Sequence, residues 1–158
     1  MRRRSAALVL LVATPAVVLI ATAGCSPAFR ECDAVPTARL DALPARLSET
    51  GLFAPGRPET PGEGVRAFTP RYPLWTDGAS KRRWIRLPPG TRIDTSDPDA
   101  WGFPRGTRVW KEFARDGVRV ETRMLEKFGD APDAWTPVAY VWRDDGEAYA
   151  SPEGATNA

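Results

Sequence analysis

Proline and glycine residues interrupt this chain so often that its secondary structure must consist of short pieces. The sequence holds 16 prolines and 13 glycines in 158 residues, many of them between short apolar runs. Proline removes a backbone N–H donor, and both residue types favour turns. From Arg66 onward, the runs between these turns are typical of strands. The sequence therefore predicts an all-β fold, an antiparallel sandwich or a barrel-like sheet, with one short N-terminal helix.

The short helix is predicted over residues 37–50, where apolar residues recur at helical spacing. The apolar positions of this segment are Leu40, Leu43 and Leu47. Pro44 limits or kinks such a helix because it cannot donate a backbone hydrogen bond. We expect Leu52 and Phe53 to fold back onto the domain, and residues 54–64, rich in proline and glycine, to form a surface loop.

Two Asp-Gly pairs, Asp116-Gly117 and Asp145-Gly146, each lie between two runs of strand-forming residues. The first pair joins residues 107–115 to 118–127, and the second joins 138–144 to 147–150. Both central residues of a tight hairpin turn require positive φ, which Asp and Gly tolerate. Each pair therefore predicts a β-hairpin.

A two-residue turn at 116–117 also predicts which side chains share a face of the first hairpin. The core face is predicted to hold Val109, Phe113, Val118, Val120 and Met124. On the other face Trp110 is predicted opposite Arg123, in a cation–π contact, and Glu112 opposite Glu121. Lys111 falls on the predicted core face, where it either marks a polar pocket or, as we expect, extends to the sheet edge.

The predicted pairing of Glu112 with Glu121 has two interpretations, because like charges directly across two strands are unfavourable. In the first, the two carboxylates share a cation or form an acid/base pair with a raised pKa. In the second, which we favour, arginines neutralise both carboxylates in an exposed lattice. These arginines are Arg108, Arg119 and Arg123.

The first 24 residues resemble a bacterial lipoprotein signal peptide. Three arginines precede an apolar stretch over residues 6–21, and small residues then lead to Cys25. The stretch is shorter than the roughly 20 residues that cross a membrane, and Pro15 interrupts it. We therefore predict that Cys25 is acylated and anchors an exported chain to a bacterial membrane, facing the periplasm or the exterior. An ordinary secretory signal is the alternative. Residues 25–36 are then a tether, and residues 37–158 a single domain.

Composition excludes several functions. The sequence has no histidine, so it offers no imidazole for a Ser-His or Cys-His nucleophile pair. The leader contains three of the 22 basic residues and none of the 20 acidic ones, so the mature chain is almost neutral. This balance gives no indication of nucleic-acid binding. Cys32 has no partner within the chain if Cys25 is acylated.

Several short blocks of the sequence resemble one family in the right order. They are YPLWTDGASK at residues 72–81, WIRLPPGT at 84–91, WGFPRGT at 101–107, KEF at 111–113, ETRML at 121–125 and YVW at 140–142. This succession is similar to the N-terminal region of a family of exported bacterial di-haem c-type cytochromes. In that family the region continues into a Cys-x-x-Cys-His haem-attachment segment. This sequence ends at Ala158 without one, so we expect no bound cofactor.

The resemblance implies the β-rich accessory domain of such a cytochrome, either as a natural stand-alone protein or as a truncated or split reading frame. We therefore expect a non-catalytic, lipid-anchored envelope protein whose domain binds a partner, a c-type cytochrome or another envelope protein. The alternatives are a tryptophan-rich carbohydrate- or polymer-binding module, and a cytochrome fragment without a function of its own. An enzyme is not expected, nor is a metal site. The candidate binding residues are Trp75, Asp77, Trp110, Glu112, Glu121 and Arg123.

Overall fold

A computed structural model describes residues 42–155 of the chain, and these residues form an all-β structure. Its elements are a 3-10 turn at Leu47–Thr50 and the strands β1 (Phe53–Ala54), β2 (Arg57–Pro61), β3 (Val65–Ala67), β4 (Ser80–Arg86), β5 (Arg108–Arg115), β6 (Val118–Lys127), β7 (Trp135–Trp142) and β8 (Ala148–Ser151). The predicted fold class is confirmed. The leader, both cysteines and the tether lie outside the described residues.

Six of the strands form one antiparallel sheet in which every strand pairs with its neighbour in the sequence. The order is β3-β4-β5-β6-β7-β8, and β1 and β2 form a separate two-stranded sheet. The turn and β1 pack their apolar side chains on one face of the large sheet, which gives a sandwich-like arrangement. In residues 42–155 no helix is long and apolar enough to cross a membrane.

The face of the large sheet that is covered by β1 and the 3-10 turn is called the core face. Strand alternation places the side chains of Trp84, Trp110 and Met124 next to one another on β4, β5 and β6. All three are buried, as is Tyr140 on β7. Phe53 of β1 packs edge-on against Trp84, with 5.8 Å between the ring centroids. Leu52 and Phe53 thus fold back onto the domain, as predicted.

The predicted helix over residues 37–50 is wrong for the described part. Residues 37–41 lie outside the description, and within 42–50 only Leu47–Thr50 is helical, as a 3-10 turn. The residues before it pair with the edge strand β8 instead, since the Ala150 N–H donates to the Ala45 carbonyl at 2.9 Å. Arg46 has extended backbone angles and forms a β-bridge with Tyr149. Pro44 favours this extended path because it cannot continue a helix.

The surface loop predicted at residues 54–64 is also corrected, because this segment contains β2. Every residue of β2 is exposed, which explains its polar and proline-rich sequence. The hairpin closes through Gly62, whose N–H donates to the Leu52 carbonyl at 2.9 Å. A Cβ at position 62 would lie 2.4 Å from the Gly51 carbonyl oxygen, so this close approach requires glycine.

The hairpin predicted at Asp116-Gly117 is confirmed. Both residues have positive φ, 51° and 82°, as the tight turn requires. The strands that it joins end at Arg115 and begin at Val118, which are paired.

The predicted register of this hairpin is wrong beyond Ala114, because a β-bulge displaces it by one residue. Ala114 pairs with Arg119, but Phe113 pairs with Glu121, so that Val120 is the extra residue. Side chains alternate between the two faces of a strand, so a displacement of one residue moves each side chain of β6 to the other face relative to β5. Of the residues predicted on the core face, Met124 is buried there. The others are half-buried or exposed, and Val118 is 67% exposed.

The second predicted hairpin is present with a different turn. The connection between β7 and β8 runs over residues 143–147, longer than a two-residue turn. Gly146 donates to the Arg143 carbonyl at 3.0 Å and has φ 80°, whereas Asp145 has no positive φ. This is the longer hairpin connection, in which glycine takes the left-handed position after a β-turn.

Candidate ligand-binding groove

The face of the large sheet opposite the core face is called the groove face, and it carries a row of like charges. Arg83 on β4 lies directly opposite Lys111 on β5, and Lys111 lies directly opposite Arg123 on β6. We call these three residues the cation row. Like charges that are directly opposite across strands destabilise a sheet. The cation row is therefore expected to lower the stability of the sheet.

A fourth cation, Lys81, lies on the same face and shares an aromatic neighbour with the row. The charged groups of Lys81, Lys111 and Arg123 lie 5.8, 4.8 and 5.1 Å from the ring centroid of Phe113. Such contacts contribute about 0.5–1 kcal/mol each at exposed sites. The Phe113 ring thus offsets part of the repulsion among the cations.

Repulsion within the row also affects the protonation of its central member. Partial burial lowers the pKa of Lys111 below its ordinary value, and the charges of Lys81, Arg83 and Arg123 lower it further. In the described part of the chain, no carboxylate lies within 4.0 Å of the ammonium groups of Lys81 and Lys111 or of the Arg83 guanidinium. Lys81 donates to the Trp75 carbonyl, so Arg83 and Lys111 are the members of this group whose charges are available to an anion.

Two carboxylates line the groove, and neither pairs with those free charges. Glu121 is buried, and its Oε1 accepts a hydrogen bond from Arg123 Nε. Its Oε2 accepts a hydrogen bond from the Ala155 N–H at 2.7 Å. Glu153 is exposed and lies beyond β8. The negative charge is therefore concentrated toward the β6 and β8 side of the groove, and the free positive charge at β4 and β5.

An apolar row lies alongside the cation row on the same face. Val109, Leu125 and Pro137 are paired across β5, β6 and β7, and we call them the apolar row. Leu125 is 42% exposed, which is a large fraction for a leucine in the middle of a sheet. Both rows lie in a groove of about 860 Å³. Its walls are formed by Phe68 and Pro70 at one end and by residues 151–154 at the other.

Two predicted site residues, Trp110 and Glu112, lie on the core face and not in the groove. Glu112 is 2% exposed and pairs with Thr122, so the predicted pairing with Glu121 is wrong. Its Oε1 accepts a hydrogen bond from Arg82 Nε at 2.7 Å. The two glutamates therefore lie on opposite faces of the sheet and do not form an acid/base pair. The favoured alternative, an exposed lattice with three arginines, is wrong too, because both glutamates are buried and, of Arg108, Arg119 and Arg123, only Arg123 forms an ion pair with one of them.

The predicted cation–π contact of Trp110 with Arg123 is also wrong. Trp110 is fully buried opposite Met124, and its Nε1 has no hydrogen-bond partner in the described structure. Arg123 lies on the groove face, next to the Phe113 ring. The bulge at Val120 explains both errors, since it exchanges the faces of β6 relative to β5. Lys111 lines the groove and does not extend to a sheet edge, because β5 is an internal strand.

The other two predicted site residues, Trp75 and Asp77, lie in the connection between β3 and β4. Asp77 and Gly78 have φ values of 52° and 78° and form a tight turn, closed by the Ala79 N–H and the Thr76 carbonyl at 3.0 Å. Asp77 is thus a turn residue. Trp75 is 85% exposed, and its carbonyl accepts a hydrogen bond from Lys81 Nζ at 3.3 Å.

The six tryptophans do not lie together on one exposed surface. Trp84 and Trp110 are buried, and Trp135 and Trp142 are half-buried. Trp75 and Trp101 are the two tryptophans that are largely exposed, and no ring contact joins them. Among residues 42–155, moreover, no three acidic or cysteine side chains come together as ligands of a metal ion would.

Sequence reasoning missed Lys81 and Arg83 as site residues and misplaced Lys111. Lys81 and Arg83 are two residues apart in the sequence, and in a strand this spacing places both side chains on one face. Their proximity to Lys111 and Arg123 depends on the register of three strands. Comparison of the chain with protein-family models, with curated proteins and with solved structures found no match.

Proposed function

We propose that this protein is a lipid-anchored protein of the bacterial cell envelope, and that its β domain is a non-catalytic module that binds a partner protein. A c-type cytochrome is the partner that the family resemblance suggests. The observation that carries the proposal is an exposed apolar segment at residues 72–75, called the projecting segment. Within it Tyr72 and Leu74 are each 79% exposed, and Trp75 is 85% exposed.

The projecting segment is attached to the sheet at both sides. The Phe68 N–H donates to the Arg83 carbonyl at 3.0 Å, and Lys81 Nζ donates to the Trp75 carbonyl at 3.3 Å. These two hydrogen bonds connect the chain to β4 on both sides of Tyr72 and Leu74. Contiguous exposed apolar residues mark interaction sites, and tryptophan and tyrosine dominate the binding energy of many protein interfaces. The segment thus supports a docking role.

A non-catalytic role is supported by the positions of the carboxylates. Glu112 is held by Arg82 on the core face, and Glu121 is held by Arg123 on the other face. Asp94 and Asp97 accept hydrogen bonds from the N–H groups of Ser96 and Asp99, two residues further along the chain in each case. Such hydrogen bonds are typical of turn-forming aspartates.

The partner proposal is tested by replacing two exposed apolar side chains of the projecting segment, Leu74 and Trp75. Tagged wild-type protein and the variant L74S/W75S are cross-linked in cells of the source organism, and the captured envelope proteins are stained for covalent haem. We expect a haem-staining partner with the wild type and its loss with the variant. The control is Val118→Ser, which removes an apolar side chain that is 67% exposed at a hairpin end. Capture of no haem protein by the wild type contradicts the cytochrome as partner, and equal capture by L74S/W75S contradicts the docking role.

The lipid anchor is tested separately by fractionation. Cys25→Ala should release the chain from the membrane fraction, and the matched control Cys32→Ala should leave it there. A Cys25→Ala chain that stays with the membrane contradicts the anchor.

A further inference from the structure

We propose that the groove binds a long-chain carboxylate, with its head group between Arg83 and Lys111 and its hydrocarbon chain along Val109, Leu125 and Pro137. This site is distinct from the projecting segment, so the proposal goes beyond the partner-binding role and does not depend on it.

The head-group position follows from the distribution of charge. Neighbouring strands are about 4.8 Å apart, so the side chains of directly opposite cations can reach a single anion between them. Arg83 and Lys111 are directly opposite and have no carboxylate partner among residues 42–155. A bound carboxylate would replace their mutual repulsion with two charge-assisted hydrogen bonds.

The two acids of the groove set the orientation of the ligand. Arg123 already donates to Glu121, so it is a weaker partner for a new anion than Arg83 or Lys111. Glu121 and Glu153 lie toward β6 and beyond β8, where they would repel a negative head group. The head group is therefore favoured at β4 and β5, with the apolar chain extending toward β7.

The lining of the groove favours a hydrocarbon chain over a peptide. Every N–H and C=O group of a bound peptide needs a hydrogen-bond partner once water is excluded. The side chains of the apolar row offer none, and neither do Phe68 and Pro70 at the wall. The backbone groups of the internal strands below are already paired within the sheet. A hydrocarbon chain needs only apolar contact, and these residues supply it.

The size of the groove is compatible with one such molecule. Sites for small ligands have volumes of roughly 300–1,000 Å³. The groove, at about 860 Å³, lies toward the upper end of that range. It crosses the sheet from the β3–β4 connection to the residues after β8, and thus provides an elongated site.

The test is a calorimetric titration of sodium laurate, below its micelle concentration, into residues 25–158 carrying Cys25→Ser, so that no lipid or detergent competes. We expect saturable binding of one laurate per chain. The variant R83Q/K111Q should bind about tenfold more weakly or worse, since it removes both charged donors. The control variant R57Q/R92Q removes two exposed arginines that do not line the groove and should bind as the wild type does.

Three further probes separate the head-group and chain contributions. Methyl laurate lacks the charge, butyrate lacks the chain, and dodecyltrimethylammonium reverses the charge, so each should bind more weakly than laurate. Binding of butyrate as tight as that of laurate would reduce the site to an anion site and overturn the proposal. Equal binding of methyl laurate, unchanged binding by R83Q/K111Q, or no saturable binding would overturn it as well.

Folding of each variant is checked by thermal unfolding. R83Q/K111Q removes like charges from one face, so it should fold at least as stably as the wild type. The same variant should still capture the protein partner through the projecting segment. The two proposals can therefore fail independently.

Discussion

The two faces of the large sheet are built from the same strands and differ in how their charges are arranged. On the core face Arg108 lies opposite Glu126 and donates to it at 2.7 Å. On the groove face, three residues away on each of these strands, Lys111 lies opposite Arg123. The core face also has one pair of opposed cations, Arg86 and Arg108, but Arg108 is neutralised there by Glu126, and this face buries large apolar side chains. The groove face leaves Arg83 and Lys111 opposite each other without a carboxylate partner among residues 42–155, and it leaves Leu125 exposed. The comparison indicates that packing on the core face contributes most of the stability of the sheet, and that the side chains of the groove face are accessible to a ligand.

The largest expected difference between the faces concerns their apolar residues. Trp110→Ala should lower the free energy of unfolding by about 3–5 kcal/mol, because it leaves a cavity in a packed core. Leu125→Ala, on the groove face, should cost less than about 1 kcal/mol, since that side chain is 42% exposed. Urea unfolding measures both values. Equal costs would mean that the groove face is as tightly packed as the core.

Adjacent arginines on β4 give a sharper version of the same comparison. Arg82 lies on the core face and donates to buried Glu112 at 2.7 Å, whereas Arg83 belongs to the cation row. Arg82→Met leaves Glu112 without its donor and should cost about 1–3 kcal/mol. This range allows for solvent screening, because the Arg82 side chain is 45% exposed.

Arg83→Met is the matched control, since it removes the same charge one residue away. It should leave the free energy of unfolding unchanged or raise it slightly, because it relieves repulsion. A loss as large as that of Arg82→Met would contradict the assignment of the two residues to different faces.

A smaller effect is expected at Tyr140, which links the core face to the chain before the 3-10 turn. Its hydroxyl donates to the Pro44 carbonyl at 2.9 Å, and Tyr140→Phe should cost about 1 kcal/mol at neutral pH. Burial raises the pKa of Tyr140 from 10.0 to about 12. The unfolded chain therefore loses this proton first, and the contribution of Tyr140 to stability is lost as the pH rises from about 10 through about 12.

Tyr140→Phe removes that titration, so the loss of stability between pH 10 and 12 should be smaller in the variant than in the wild type. Urea unfolding across this range measures the difference. Parallel pH profiles would show that Tyr140 is not buried in the native state.

The hairpin at Asp116-Gly117 shows what the sequence could predict and where it failed. The turn and the strand ends depend on residues that are adjacent in the chain, so local turn chemistry was sufficient to predict them. The bulge at Val120 is not encoded locally, because it depends on which side chains pack across the sheet. Without the bulge, the sequence predicts Glu112 opposite Glu121 and Trp110 opposite Arg123, and it does not predict the cation row. Pairing Trp110 with Met124, so that both strands direct a large apolar side chain to the same face, would have revealed the bulge.

The smallest expected effect tests the cost of the cation row itself. Lys111→Gln removes the central charge and should raise the free energy of unfolding by about 0.5 kcal/mol at low ionic strength. Salt screens exposed charges over about 10 Å at 0.1 M, so the gain should shrink as salt is added. The reference is Lys111→Arg, which retains the charge and should give no such salt-dependent gain.

The direction of the pH dependence of stability follows from the lowered pKa of Lys111, which is caused first by partial burial and then by the charges of Lys81, Arg83 and Arg123. The pKa of Lys111 is lowered in the native state, so the unfolded chain binds this proton more tightly than the native protein does. Stability should then rise as the pH increases from the native pKa of Lys111 toward its ordinary value of about 10.4, and Lys111→Gln should lack this rise. Because the loss of the Tyr140 proton acts in the opposite direction above pH 10, the measurement is made below that pH. A wild-type profile parallel to that of Lys111→Gln would show that neither partial burial nor the neighbouring cations lower the pKa of Lys111 in the native protein, and the difference between the two faces would then be one of apolar packing.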